Sequence, residues 1–400
     1  MQRASPMQQK ELFLRRCLGQ LFTFIPNRHF LKRYFHQTPY RSENLISKNT
    51  ILGLGNPLLD INVTVEESLL DKYSLKANNA ILAEERHLPL FEELKRYPIE
   101  YIAGGDVLNS IRVAQWLLAT PESTTYFGAV GTDENSKHLQ KCSTADRVKV
   151  HFDHKPDLPT GVCGVLVTAN GFCRSLVANL GAASHYSVEH LRARQQWELV
   201  KRAQIFYSSA FFCTVSPESL FELGAHACEN EKTFCHNLAA PFLIESSKYF
   251  QILKDVLRYV DILFGNDAEA RAFAKSMKWS TENVSEIAQR IAREPKANAC
   301  PRTVVVTRGT EPTIVAIGSS RRLWSVEEYG IIPCDPSELV DTTGAGDSFV
   351  GGFLAGLAKG VELVECIAHA NYAANMIVKQ PGCKLPKQSN YQWRGYTLRY

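Results

Sequence analysis

Residues 338–360 read ELVDTTGAGDSFVGGFLAGLAKG. Asp347 directly follows Gly344, Ala345 and Gly346, and a second carboxylate, Asp341, lies just upstream. The pattern predicts a glycine turn that ends in an apolar helix built of small residues. Consecutive N–H groups in such a turn form a concave anion site, and a helix starting there adds the positive end of its dipole. A carboxylate at the mouth of that site can take a proton from a hydroxyl while the site stabilises charge on the group being attacked. This is the base-plus-anion-hole chemistry of phosphoryl transfer. Asp347 also fits a plain N-terminal helix acid, and the heptapeptide alone leaves both readings open.

Other stretches carry groups suited to a sugar. In GNPLLD, Asn56 and Asp60 could bind vicinal hydroxyls, because amide and carboxylate oxygens accept O–H donors. An Asn-Pro turn with a strand-end aspartate is the competing reading. In AGGDVLNS, residues 103–110, Gly104 and Gly105 allow close approach to the backbone. Asn109 stands on the first turn of the amphipathic segment NSIRVAQWLLA. GNDAE sets Asn266 and Glu269 at the spacing of a near capping box. GLGNPL lacks the third glycine of a dinucleotide fingerprint.

These groups need a scaffold, and the chain between them supplies its pattern. TILGLGN, TTYFGAVG, AQIFYSSAFF, KTFCHNLAA, VDILFGN and RTVVVTRG read as short buried strands. NSIRVAQWLLA, ESLFELGAHACEN and AEARAFAKSMKW read as helices between them. Strands alternating with helices predict an α/β fold, a parallel sheet covered on both faces. LLDINVTVEESLLDKYSL and TGVCGVLVTANGFCRSLVANLGAA break the rhythm and read as strands without a crossover helix. The alternation of Cys163, Val165 and Val167 suits a half-exposed sheet. The expectation is a small discontinuous β-sheet lid over the main domain, from segments about 59–104 and 158–182. Residues 50–386 would form the folded domain, after a basic extension at 1–49 and before an irregular tail at 387–400.

The chain has 400 residues, with 45% hydrophobic and 22% charged. That is the profile of a globular protein, with no apolar run long enough to span a membrane. The net charge of +4 is unevenly placed. The first 50 residues hold nine Lys/Arg against Glu11 and Glu43, so the rest of the chain is slightly acidic. A nucleic-acid footprint is therefore not expected. The 11 cysteines include no C-x-x-C pair and read as reduced thiols. Residues 1–48 are rich in Arg, and QKELFLRRCLGQLFTFI could form a basic amphipathic helix. A mitochondrial presequence and a non-targeting extension are the two readings.

DTTGAGDSF resembles the signature D-T-x-G-A-G-D-x-F of the ribokinase-like (PfkB-type) carbohydrate kinases, and AGGDVLNS resembles that family's upstream glycine motif. Within the family, ILGLGNPLLDI, ILAEE, RSLVANL, FFCTVSPES and VDILFGNDAEA are similar to the adenosine kinases. The likeness runs from about Ile51 to Pro386. It implies transfer of the ATP γ-phosphate to the 5′-hydroxyl of adenosine, a step of purine salvage giving AMP. Asp347 would be the base, and the amides of Gly344, Ala345, Gly346 and Asp347 the anion hole, with Asp341 and Thr342 shaping the turn beside the nucleotide.

The resemblance also implies that Asn56, Asp60, Gly104, Gly105 and Asn109 hold the ribose. Leu176, Phe211 and Phe242 would border the purine. Asn266 and Glu269 would act on Mg²⁺ through water, which suits an ion that keeps much of its hydration. Arg174 would clamp the transferred phosphate when the lid closes. Thr307, Gly309 and Asn371 would flank ATP. A monomer in the cytosol or nucleus is the family expectation, with mitochondrial import the alternative from residues 1–48. Adenosine kinases read A-G-G-S-x-Q-N-S where this chain has Asp106 and Leu108, and often have glutamine where it has Ala80. A carboxylate at 106 beside Asp60 and Asp347 must point to solvent, pair with a cation such as Arg112, or titrate upward. Those departures keep two alternatives open: a kinase for another nucleoside or sugar on the same fold, and a weakly active nucleoside-binding paralogue.

Overall fold

A computed structural model describes residues 46–77, 79–168 and 173–391. The basic segment 1–45, with its targeting expectation, lies outside the described residues, as does most of the tail. The strands in chain order are β1 (Ile51–Leu54), β2 (Leu58–Thr64), β3 (Ala80–Leu82), β4 (Glu100–Gly104), β5 (Thr124–Val130), β6 (Lys149–His154) and β7 (Val162–Thr168). They continue as β8 (Cys173–Asn179), β9 (Ile205–Ser209), β10 (Thr233–Asn237), β11 (Ile262–Asn266), β12 (Arg302–Arg308), β13 (Glu311–Ser319) and β14 (Arg322–Tyr329).

Nine strands form one sheet in the order β14-β13-β12-β11-β10-β9-β1-β5-β6. The six strands expected from sequence are β1, β5, β9, β10, β11 and β12, and all of them pair in parallel. Their residues are buried because helices cover both faces, which is why they read as continuous apolar runs. β13 and β14 extend the sheet antiparallel at one edge. The order reverses around β1: β5 and β6 lie to one side, β9 to β12 to the other. In an open α/β sheet this switch point opens a crevice beyond the carboxyl ends of the strands. Asn56 follows β1, while Ser209, Asn237 and Asn266 end β9, β10 and β11.

The second sheet is smaller, in the order β3-β8-β7-β2-β4. Two expectations for this region need correction. LLDINVTVEESLLDKYSL is a strand only in its first half; Glu67–Lys72 is helical and buries Leu69 and Leu70. β7 is not half-exposed. Val162, Cys163, Val165 and Leu166 are all buried, because a helix at Leu88–Leu94 packs on one face. Leu94 and Phe91 lie against Gly164.

Three helices bring distant chain segments together: α1 (Asp106–Leu118), α3 (Ala345–Lys359) and α4 (Leu363–Ile377), with α2 (Asp267–Ser276) following β11. The small residues of α3 have a packing reason. A Cβ on Gly351 would lie 2.5 Å from the Ser110 carbonyl oxygen of α1. One on Gly352 would lie 2.4 Å from the His369 carbonyl oxygen of α4. α3 is therefore wedged between α1 and α4 at backbone contact distance. Gly352→Ala adds about 1 kcal/mol of helix propensity. The forced separation of α3 from α4 outweighs it, at roughly 1–3 kcal/mol for an overpacked contact. Urea unfolding should show a net loss of stability; an unchanged or raised midpoint would contradict the contact.

Candidate active site

Gly344 adopts φ 78°, a left-handed conformation that glycine takes without steric cost, and caps α3. The Gly344 carbonyl accepts the Ser348 N–H, and Thr342 accepts the Ala345 N–H. The remaining N–H groups of the first turn have no partner within the helix ladder. Gly346 has open space where a side chain would stand. Asp341 shapes the approach: its Oδ1 accepts the Thr343 N–H at 2.8 Å and its Oδ2 the Gly382 N–H at 2.8 Å.

Asp347 sits in the first turn of α3, where Gly346, Asp347, Asp106, Asn237, Glu269 and Thr307 line a cleft of about 240 Å³. Its Oδ2 accepts one hydrogen bond, 3.0 Å from Asn109 Nδ2. Asn109 is fixed in turn, since Arg112 Nη1 donates to its Oδ1 at 3.2 Å and to the Ala103 and Cys383 carbonyls. Arg112 Nε pairs with Asp146 at 2.6 Å. Burial pushes the Asp347 carboxyl up to about 7, aided by the charges of Asp106, Asp60 and Glu269 and opposed by the Asn109 hydrogen bond.

The sugar-binding candidates converge on the junction of β2, β4 and α1. The Asp60 carboxylate lies over Gly104, where a Cβ would come 2.3 Å from Oδ1. Gly105, at φ 96°, passes the Asn56 carbonyl so closely that a side chain would collide with it. Asn56 Oδ1 is buried and makes no hydrogen bond. Burial raises Asp60 to about 7 against the charges of Arg112 and Arg174. Asp106 lines the cleft and is neither solvated away nor paired with Arg112, which Asp146 holds. Burial shifts its carboxyl upward against the Ser209 hydroxyl and first-turn amides, so of the three escapes weighed from sequence it takes the third.

Phe211 borders the cleft, and the exposed Phe242 tilts against it with ring centroids 6.2 Å apart. Thr307 lines the cleft, and Gly309 turns β12 into β13 at φ 61°. Asn266 and Glu269 form the capping box of α2: Asn266 Oδ1 accepts the Glu269 N–H, and Glu269 accepts from the Asn266 N–H and Nδ2. Both line the cleft.

Three candidates lie elsewhere. Leu176, across from Ala80 in β3, borders a separate small cavity with Leu75 and Ile81. Asn371 is buried in α4 and donates to the Gly330 carbonyl at 3.0 Å. Arg174 Nε lies 3.1 Å from Asp341 Oδ2, so the two form an ion pair between the small sheet and the approach to α3. Sequence reasoning passed over Asn237, whose Nδ2 lies 3.5 Å from the Tyr207 hydroxyl at the cleft wall. Its place at the carboxyl end of a central strand was the available signal.

A family model for the pfkB family carbohydrate kinases matches residues 68–390. The chain is 44% identical over 343 residues to adenosine kinase 1 of Arabidopsis thaliana, covering 85% of this chain and 97% of that one. The fold is similar to the Anopheles gambiae adenosine kinase bound to P1,P4-di(adenosine-5) tetraphosphate, with TM-score 0.78 and 43% identity over 86% of this chain and all of that one. It is also similar to the Schistosoma mansoni adenosine kinase bound to 2-fluoroadenosine, with TM-score 0.77 and 33% identity over 86% and 99%. A glycine-capped helix with a half-buried carboxylate in its first turn, set at the switch point of this sheet, thus agrees with the match along the chain: the protein belongs to the pfkB family of carbohydrate kinases.

Proposed function

We propose that the cleft transfers the γ-phosphate of ATP to the 5′-hydroxyl of adenosine, giving AMP and ADP. The observation that carries this reading is Asp347: a half-buried carboxylate raised to about 7, beside the open N-terminus of α3. A base of that pKa suits proton transfer near neutral pH. The 5′-hydroxyl gives its proton to Asp347, its oxygen bonds to the γ-phosphorus, and the bond from that phosphorus to the bridging oxygen of ADP breaks. The first-turn amides of Gly344 to Asp347 stabilise the charge on the phosphoryl oxygens. The relatives' names and ligands support the substrate pair.

Asn56, Asp60, Asn109 and the Gly104-Gly105 backbone hold the ribose, and Phe211 with Phe242 flank the base. Thr307, Gly309 and Thr342 lie toward the nucleotide, and Asp341 orders the turn they face. In this account Leu176 and Asn371 have supporting places only. Arg174, carried on the small sheet as a lid, clamps the phosphate by exchanging Asp341 for it.

Among the described residues no three His, Cys, Asp or Glu side chains are arranged to hold a metal ion. A hydrated Mg²⁺ nevertheless fits Asn266 and Glu269. Each of their side-chain oxygens accepts one hydrogen bond in the capping box and keeps a second lone pair. When bound, the ion would neutralise phosphate charge. Glu269 would hold the waters of such an ion, while Asn266 fixes Glu269.

Replacing Asp347 by Asn should lower kcat by roughly 10²–10⁴-fold, with adenosine affinity within a few fold of wild type. Steady-state kinetics with calorimetric binding separates the two, and near-normal turnover would remove Asp347 from the chemistry. Glu269→Gln should raise several-fold the Mg²⁺ concentration giving half-maximal rate. A stability loss of about 1 kcal/mol with an unchanged Mg²⁺ response would make Glu269 a capping residue alone.

A further inference from the structure

Asp106 stands in the first turn of α1, directly after the strained turn at Gly105. It lines the same cleft as Asp347 and Phe211. Its Oδ2 is buried and makes no hydrogen bond. The Ser209 hydroxyl and the Val107 N–H act on the same carboxyl group, and Ser209 Oγ, like Asp106 Oδ2, closes no hydrogen bond of good geometry. Beneath it, the buried Tyr126 hydroxyl also makes no hydrogen bond. The cations nearest the cleft are engaged elsewhere: Arg112 with Asp146, Ala103, Asn109 and Cys383, and Arg174 with Asp341. A buried carboxylate oxygen without a donor is costly. A ligand that brings a donor to this wall removes that cost, and one that brings a lone pair adds to it.

We propose that Asp106 is a specificity-determining residue that accepts a hydrogen bond from an N–H donor on the base of the acceptor nucleoside. The inference rests on the nucleoside-kinase reading and deepens it. The ribose candidates Asp60, Asn56 and Asn109 gather around Gly104 and Gly105, directly before Asp106 in the chain, and Phe211, with Phe242 against it, borders the same cleft. A base running from the sugar toward Phe211 passes the Asp106 wall. Adenine offers the donor through its exocyclic amino group. The base of purine riboside, with N9 bonded to the sugar, has no N–H and presents only lone pairs. Sites built to hydrogen-bond a substrate group reject the analogue lacking it far more strongly than apolar pockets do. A single bond to a carboxylate corresponds to about tenfold to a hundredfold.

The test compares adenosine with purine riboside in the wild-type full chain, Asp106→Ser and Asp106→Asn. It reads kcat/KM at saturating Mg²⁺–ATP and Kd by calorimetry, with thermal melting to show that each variant folds. The wild type should favour adenosine by about tenfold or more in both measures. Asp106→Ser should bring that ratio close to one, and Asp106→Asn, which keeps one acceptor oxygen, should fall between. An equal ratio in wild type and Asp106→Ser overturns the proposal. So does a uniform rise for both nucleosides in the serine variant, which would make Asp106 a source of repulsion only. Inosine separates this proposal from the reading beneath it. A wild type that prefers inosine, with the preference lost in Asp106→Ser, supports the donor role and overturns adenosine as substrate. If no nucleoside is phosphorylated, the kinase reading fails, and the Kd ratios alone decide for or against Asp106.

Discussion

The hydrogen bond from Asn109 to Asp347 joins residues 238 positions apart and sets the geometry of the cleft. It forms only if α1 and α3 touch at backbone distance, which the glycines of α3 permit. It holds its direction only because Arg112, almost fully buried, grips the other end of the Asn109 amide. Arg112 is itself held by Asp146 and two carbonyls, one of them from Cys383 near the end of the described chain. Beginning, middle and end of the domain are thus tied through one amide. The carboxylate at its tip stands in the first turn of α3.

That network commits Arg112 to Asp146 and Arg174 to Asp341, although both still act on Asp60. Asp106, Glu269 and Asp347 line one cleft. Burial shifts the carboxyls of these three and of Asp60 upward. An acid whose folded pKa is raised binds its proton more tightly in the folded chain. Its contribution therefore favours folding below the ordinary carboxylate pKa and weakens as pH rises through that value toward the folded one. For Asp347 and Asp60 the window runs from about 4 to about 7. The site is thus held ionised at some expense of stability, which the closely packed helices offset.

Much of this was legible in the sequence. The parallel strands announced themselves as short apolar runs, and Gly344 to Asp347 as a glycine turn opening a helix, because both signals are local. What the sequence hid depended on partners far away. Arg174 reads as a free cation until Asp341 is seen across from it. Leu176 reads as a purine contact, and its place in β8 beside a separate small cavity depends on a strand pairing that sequence does not show. β7 looked half-exposed because alternation cannot reveal a helix packing on its second face. The helix at Glu67–Lys72 was lost in a run that began as a strand. Asn266 and Glu269 were ambiguous by nature, since one geometry serves both a helix cap and a hydrated ion. Asp106 was visible as an oddity, but only the commitment of Arg112 to Asp146 shows that its charge has no internal partner.

The central claim is that burial makes Asp347 a base matched to neutral pH. It is tested most directly by the pH dependence of kcat/KM for adenosine at saturating Mg²⁺–ATP, in wild type and Asp347→Asn. Asp347 must be unprotonated to accept the hydroxyl proton. Wild-type activity should therefore fall as pH drops, reaching half near 7. The residual activity of Asp347→Asn should lack that limb. A wild-type profile that stays flat down to pH 5, or an Asp347→Asn variant that keeps the same limb, would contradict the account.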